Sequence, residues 1–421
     1  MINKIFQDKF LRHNFIFFCG SMIVAIFNYL YHPILSRMMD IESFGEVQAL
    51  ISLFLLFSMV IGVFRTIVVN IVANAQEIQE KQELILMLQK AGLYIVSAFS
   101  LLIIVFSPQL KLFFNFSSVY PFISLAILLI LSLFFTFRSA ILQALHKFKE
   151  VSIASIYLSA GRLVFAVLLV YIGWASFGAV TAIVLSQIIA LIYVYSKTST
   201  HLMSLAKANV RITSRIKKEF SYAFLVFLAT LCVTFLYSAD VIVIKHYFPA
   251  DQAGFYSGIA TIARIIFFVT GSVAGVLISH IKLENSDKEN KKTLRKSLFL
   301  VGGLGGAVLL TFLAFPDTII KVLIGQRYLD YAGLLPRLSL LLFFVSIINV
   351  FFFYYLALRK YFLAIIAILS PLLVLILSYF RHDSLLQIIN NFLWSSVLIL
   401  IILLLRFLWQ SLSVKQDKIY D

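Results

Sequence analysis

Residues Leu236–Ile281 read LYSADVIVIKHYFPADQAGFYSGIATIARIIFFVTGSVAGVLISHI. Two long apolar runs flank a short turn around Pro249, Asp251 and Gly254. Each run is long enough to cross a bilayer, which takes about 20 helical residues. Asp240 lies inside the first run and Arg264 inside the second, both well away from the ends. A charge at that depth costs roughly 2.5–3.5 kcal/mol on insertion scales. A chain keeps it only where it faces other protein or a water-filled cavity. The pattern predicts a membrane helical hairpin with a polar interior.

Working outward, the rest of the chain has the same character. Of its 421 residues, 62% are hydrophobic and 13% charged, and 42 are Phe. The mean hydropathy is +0.99. Soluble domains run near 45–50% apolar with about 25% charged residues, so the expectation is an all-α polytopic membrane protein. The formal net charge is +16. In a soluble chain that would point to nucleic acid, but here it is the positive-inside signal, and nucleic acid is not an expected partner. Cys19 and Cys232 both fall inside apolar helices, so they are packing residues and imply no disulfide framework. Lys4, Lys9 and Arg12 precede an apolar run from Phe15 to Leu35. No small-residue cleavage site follows and the run is too long for a secretory signal, so it is the first membrane helix.

About twelve spans are legible. The first six cover roughly 14–35, 45–72, 91–107, 121–145, 151–172 and 177–196, and the second six roughly 220–247, 253–280, 298–315, 332–358, 361–380 and 386–408. The longer connections, Ala73–Lys90, Lys197–Glu219 and Lys282–Ser297, fall on one side. Lys and Arg between spans favour that side by roughly four to one, which puts both termini of a multi-pass protein in the cytoplasm. The outer segments hold only Arg37, Lys111, Lys245, Lys321, Arg327 and Arg381.

The chain also repeats itself. SRMMDIESFGEVQALI from Ser36 and KHYFPADQAGFYSGIA from Lys245 share an acid ahead of an aromatic helix start and a glycine in register, Gly45 and Gly254. QALHKF from Gln143 matches LALRKY from Leu356 at nearly the same offset. Two six-helix lobes are expected, 1–196 and 220–421, related by a pseudo-two-fold axis along the membrane normal with a site between them. The linker 197–219 carries Lys207, Arg211, Arg215 and Lys218 at helical spacing, as an amphipathic helix on the anionic inner leaflet would. LENSDKENKKTLRKS from Leu283 reads by composition as a solvated cytoplasmic loop.

Five ionisable residues are read inside the spans: Arg65, Arg138, Arg162, Asp240 and Arg264. Arg65 and Arg138 lie about 10 Å from the cytoplasmic ends, within partial snorkelling range. Arg162 and Arg264 lie near mid-span, where snorkelling fails. Asp240 is either the partner of Arg264 or a proton or sodium site. Four arginines against one aspartate make the cavity net cationic in a low-dielectric surrounding, which selects an anionic solute. Arg is also the side chain best shaped to grip phosphate. No Walker loop and no His/Cys metal spacing occurs, so no cofactor is expected and no enzyme activity is assigned. Asp40 and Glu42 form an acidic pair in the first outer loop, but the repeat keeps Asp251 ahead of its own helix, so these acids read as N-terminal caps.

The segments LSRMMDIESFGEVQAL from Leu35, ILQALHKFKEVSIASIYLSAGRLVF from Ile141, SADVIVIKHYFPADQAGFYSGIATIARIIFF from Ser238 and GQRYLDYAGLLPRLSLLLFFVSIINVFFFYYLAL from Gly325 carry a resemblance. With length and span layout, they resemble the polysaccharide biosynthesis, or O-antigen-type, flippases of the multidrug/oligosaccharidyl-lipid/polysaccharide exporter superfamily. The resemblance implies ion-coupled alternating access that moves an undecaprenyl-diphosphate-linked oligosaccharide, an O-antigen, capsule or exopolysaccharide unit, to the outer leaflet. It implies an anionic lipid-linked oligosaccharide, membrane lipids and polysaccharide assembly proteins as partners. Arg162, Arg264, Arg65 and Arg138 are then the expected substrate-binding residues and Asp240 the ion-coupling residue. The competing readings are a cation-coupled multidrug exporter of the same fold, which would need acids in its cavity, and a membrane glycan polymerase or ligase, which would need a larger outer loop.

Overall fold

A computed structural model describes residues 9–74, 78–145, 147–198, 214–281 and 286–417. The helices are α1 (Lys9–Met38), α2 (Ile41–Asn74), α3 (Ile78–Val105), α4 (Ser107–Phe113), α5 (Tyr120–Ala144), α6 (Phe148–Tyr171) and α7 (Ala175–Thr198). They continue with α8 (Ser214–Tyr247), α9 (Ala250–Ala263), α10 (Ile265–His280), α11 (Asp287–Ala314) and α12 (Pro316–Leu323). A 3-10 segment (Gln326–Leu334) then leads into α13 (Leu335–Ala357), α14 (Phe362–Phe380) and α15 (Leu385–Asp417). Among the described residues, 11 helices are long and apolar enough to cross a membrane. α1 covers the first expected span besides these.

Large apolar side chains stand exposed along these helices, among them Tyr171 at 85%, Phe299 at 81% and Leu310 at 67%. A water-soluble monomer rarely carries so much contiguous apolar surface. A lipid-facing shell accounts for it.

The chain divides into two compact units. Unit 1 comprises Met1–Phe227 with Pro249–Gly254, and unit 2 comprises Leu228–Phe248 with Phe255–Asp421. The core of unit 1 joins α1 and α2, through Tyr31, Leu35, Phe44 and Val47, to α6 and α7, through Leu163, Ala166, Ala179 and Ala182. In unit 2, α13 is the central helix, packed by α10, α11 and α15. Thr270 on α10 donates to Ser346 on α13 at 2.9 Å, so an otherwise costly polar pair within the bundle is satisfied.

The glycines that set the repeat register have a direct steric role within unit 1. A Cβ on Gly45 would lie 2.8 Å from the Gly254 Cα, and one on Gly254 would collide with the Ile41 carbonyl. Asp40 does cap its helix, its Oδ1 accepting from the Ser43 amide at 2.7 Å.

Three sequence expectations need correction. The segment read as a loop from Leu283 is helical from Asp287 onward. Ser286 and Glu289 form a reciprocal capping box there, and Asp287 pairs with Lys291 one turn on at 2.6 Å. Local caps and an i,i+4 pair outweigh the polar composition. The connection Ala73–Lys90 is likewise helical from Ile78. Lys245, counted as an outer-loop residue, sits in the last turn of α8 and is 0% exposed. Of the linker 197–219, residues 199–213, with Lys207 and Arg211 among them, lie outside the described residues.

Candidate functional site

The two mid-span arginines occupy separate sites, one in each unit. In unit 2 the hairpin formed by α8, α9 and α10 closes on itself. Regular helix is interrupted at one residue, Arg264, between α9 and α10. The ladder persists across it, with the Arg264 amide donating to Ala260 O at 3.0 Å and the Phe268 amide to Arg264 O at 3.1 Å. The guanidinium reaches across to α8. Its Nη2 lies 2.8 Å from Asp240 Oδ1, and its Nε donates to Tyr237 O at 2.9 Å. The Tyr256 hydroxyl donates to Asp240 Oδ2 at 2.7 Å.

Arg264 is 5% exposed and Asp240 4%. Of the two readings left open for Asp240, this structure holds the ion pair. Arg264 therefore does not add an uncompensated charge to a cationic cavity, because Asp240 on the neighbouring helix neutralises it. The pair is neutral overall and each carboxylate oxygen has a donor, the condition under which a buried pair is tolerated.

Unit 1 holds the other mid-span arginine. Arg162 on α6 points at α1, where its Nη2 donates to Asn28 Oδ1 at 2.9 Å. Its Cζ lies 4.3 Å from the centroid of the Tyr31 ring, and Tyr31 is held by its own hydroxyl, which donates to Ala179 O at 3.3 Å. The Arg162 Nε is buried without a hydrogen-bond partner among the described residues. Among the described residues no carboxylate lies within 4.0 Å of this guanidinium. Arg162 also lines a cavity of about 100 Å³ with Leu50, Leu125, Leu128, Val180 and Ile183, room for several water molecules. Apolar walls thus border a guanidinium that has no carboxylate partner among the described residues.

Arg65 and Arg138 do not join that site. Arg65 on α2 is exposed and donates to Gln143 Oε1 at 2.8 Å. Arg138 on α5 stacks 3.9 Å above the Tyr195 ring centroid and donates to Thr198 Oγ1 at 3.2 Å, beside the last turn of α7. Neither has a carboxylate partner among the described residues.

One acid escaped the sequence reading. Glu46 lies in the first turns of α2 and is 3% exposed. Its Oε1 accepts from the Ser117 amide at 2.5 Å, and its Oε2 accepts from Ser117 Oγ at 3.1 Å and Ser176 Oγ at 2.5 Å. Asp240 is thus not the only carboxylate inside a span. The available signal was the span boundary itself: Glu46 follows Gly45, which the repeat places at the start of the buried helix.

These features define a class: a multi-pass helical membrane protein with ionisable side chains held inside its bundles. Comparisons with known proteins sharpen it. A family model described as polysaccharide biosynthesis protein matches residues 10–282. The chain belongs to that family. No curated protein sequence matches it.

Among solved structures it is similar to "Lipid II flippase MurJ, inward closed conformation", with a TM-score of 0.73 and 15% identity over 93% of this chain and 87% of that one. It is also similar to an inward-facing multidrug resistance MATE family transporter of the MOP superfamily, with a TM-score of 0.68 and 13% identity over 94% of this chain and 95% of that one. A third likeness is the MATE multidrug transporter DinF-BH, with a TM-score of 0.64 and 17% identity over 93% of this chain and 92% of that one. At these identities the likeness establishes the fold.

Proposed function

We propose that this chain is a flippase that carries an undecaprenyl-diphosphate-linked oligosaccharide, a unit of O-antigen, capsule or exopolysaccharide, from the inner to the outer leaflet of the bacterial inner membrane. Alternating access coupled to an ion gradient drives it. The observation that supports this most is Arg162, a mid-span guanidinium with no carboxylate partner among the described residues and a cavity beside it. A cation held at that depth is stable when its cavity admits water, and useful when the passenger is an anion. A diphosphate head group meets that need through charge-assisted hydrogen bonds.

Arg65 and Arg138, also without carboxylate partners among the described residues, are the proposed secondary contacts nearer the entry side. Asp240 is the proposed coupling carboxylate and Arg264 its resting partner. A proton or sodium ion taken up by Asp240 releases Arg264 to the passenger, and discharge of the ion restores the pair.

The test is Arg162→Ala in a strain whose surface polysaccharide depends on this chain. Losing a charge-assisted hydrogen bond worth about 1.5–3 kcal/mol should lower export by roughly tenfold or more. Lipid-linked single units should then accumulate on the inner leaflet. Normal surface polysaccharide from a correctly inserted variant would remove Arg162 from the mechanism. The fold likeness to multidrug transporters keeps one rival in view. A deletion strain with raised susceptibility to cationic drugs and unchanged polysaccharide would favour that rival.

A further inference from the structure

Unit 2 holds a guanidinium, that of Arg406, at the ends of α14 and α15 that the basic-residue count assigns to the cytoplasmic side. Arg406 on α15 has no carboxylate within 4.0 Å among the described residues. Its Nε is buried without a hydrogen-bond partner among the described residues. Two rings hold it: its Cζ lies 5.1 Å from the Phe362 ring centroid and 5.2 Å from that of Trp409. Phe362 meets Tyr355 of α13 edge-on at 4.8 Å. Tyr355 is 0% exposed, and its hydroxyl also has no partner among the described residues. Lys360, just ahead of α14, is exposed. Trp409 is 63% exposed beside the exposed Leu405 and Leu408, an apolar strip near the end of the last span.

Each feature points toward an anion arriving from the membrane. A guanidinium clamped against ring faces keeps its planar fork in a fixed orientation, so little freedom is lost when an oxyanion pairs with it. Donors without acceptors in a low-dielectric setting gain more from such a pairing than donors in water. Tryptophan and basic residues near a helix end mark head-group depth, and the inner leaflet supplies anionic head groups at that depth.

We propose that the cradle of Arg406, Phe362 and Trp409 binds the phosphate of an anionic inner-leaflet phospholipid, with Lys360 adding charge. The bound lipid tethers α14 to α15. The site is distinct from Arg162 and does not depend on the passenger carried there.

The test is native mass spectrometry of the full-length protein, released from detergent with equimolar phosphatidylglycerol and phosphatidylcholine. The wild type should retain phosphatidylglycerol over phosphatidylcholine by roughly fivefold or more. Arg406→Gln should bring the ratio close to one, and Arg406→Lys should keep part of it because charge survives while stacking is lost. If Arg406→Gln does not fold, Trp409→Leu carries the same reading, with an expected loss of about threefold in selectivity. A variant that folds and keeps the wild-type preference overturns the proposal. So does farnesyl diphosphate displacing phosphatidylglycerol at equal concentration, because the phosphate recognised would then be that of an isoprenoid passenger.

Discussion

Arg162 and Arg264 dock on the same turn of equivalent helices and end in opposite electrostatic states. Gly45 and Gly254 fix the register of the two halves at 209 residues, so Asn28 corresponds to Tyr237 and Tyr31 to Asp240. Arg162 meets Asn28 and Tyr31, whereas Arg264 meets Tyr237 O and Asp240. The docking turn is thus common to both units, and one side chain decides the charge. Where the repeat places a carboxylate, the guanidinium is neutralised and shut in. Where it places a phenol, the guanidinium keeps its charge and borders a cavity. The two berths share the docking turn, although the arginines reach it from helices that the 209-residue register does not pair.

The largest effect that tests this contrast is expected at the pair. Arg264→Ala leaves Asp240 buried with one hydrogen bond, from Tyr256. Breaking one partner of a buried pair costs about 3–5 kcal/mol. Thermal unfolding in detergent should show it, and Asp240→Asn combined with Arg264→Ala should recover much of the loss. If the double variant is no more stable than Arg264→Ala alone, the pair is not the neutralised unit described here. Arg162→Ala should behave in the opposite way. It removes two hydrogen bonds to Asn28, the one to the backbone oxygen long at 3.5 Å, and one cation–π contact, about 1–2 kcal/mol in all, yet it should abolish most export. Equal stability losses for the two alanine variants would break the comparison.

A middle-sized effect is expected at Glu46. The carboxylate accepts three hydrogen bonds from Ser117 and Ser176. Glu46→Gln turns one acceptor into an amide nitrogen facing donors, a cost of about 1–3 kcal/mol. Amide hydrogen exchange should rise around Ser117 and the start of α7, with Ser139 near the far end of α5 unchanged. A variant with wild-type exchange at Ser117 would show that the bonds add little.

The division between what the residues disclosed and what they did not follows from the same chemistry. The spans were legible, because apolar length sets them and every expected span has a helix over it, whereas the short helices α4 and α12 were not read. The arginines and Asp240 were legible as well, since a charge in an apolar run is conspicuous. Their partners were not. The Arg264–Asp240 contact depends on how far a side chain extends across two helices, and spacing left it open. The Arg162 contacts involve Asn28 and Tyr31, neither of which is charged, so no sequence rule singles them out. Glu46 was hidden by position: an acid near a helix start reads as a dipole-favoured surface residue, and only its 3% exposure separates it from Asp40. The helical start at Asp287 was legible in Ser286 and Glu289, but a run of lysines weighed more than the capping pattern.

The smallest stability effect is also the sharpest test of how one side chain decides the charge. Tyr31→Phe removes a hydroxyl that donates to Ala179 O at 3.3 Å and keeps the ring under Arg162. It should cost about 1 kcal/mol or less and leave export within about twofold. Tyr31→Asp puts into unit 1 the residue that unit 2 carries at the equivalent position. Arg162 lies above that ring, so a carboxylate there should capture it. The protein should insert and melt within about 2 kcal/mol of wild type, because the new pair offsets the lost ring packing. Export should nevertheless fall roughly tenfold, since the guanidinium is withdrawn from the passenger. A second change, Arg162→Ala, made on top of Tyr31→Asp should then destabilise the unit far more than it does in the wild type, as Arg264→Ala does in unit 2. Export at the wild-type level from Tyr31→Asp would mean that the unpaired charge of Arg162 is incidental, and that the two berths differ in structure without differing in use.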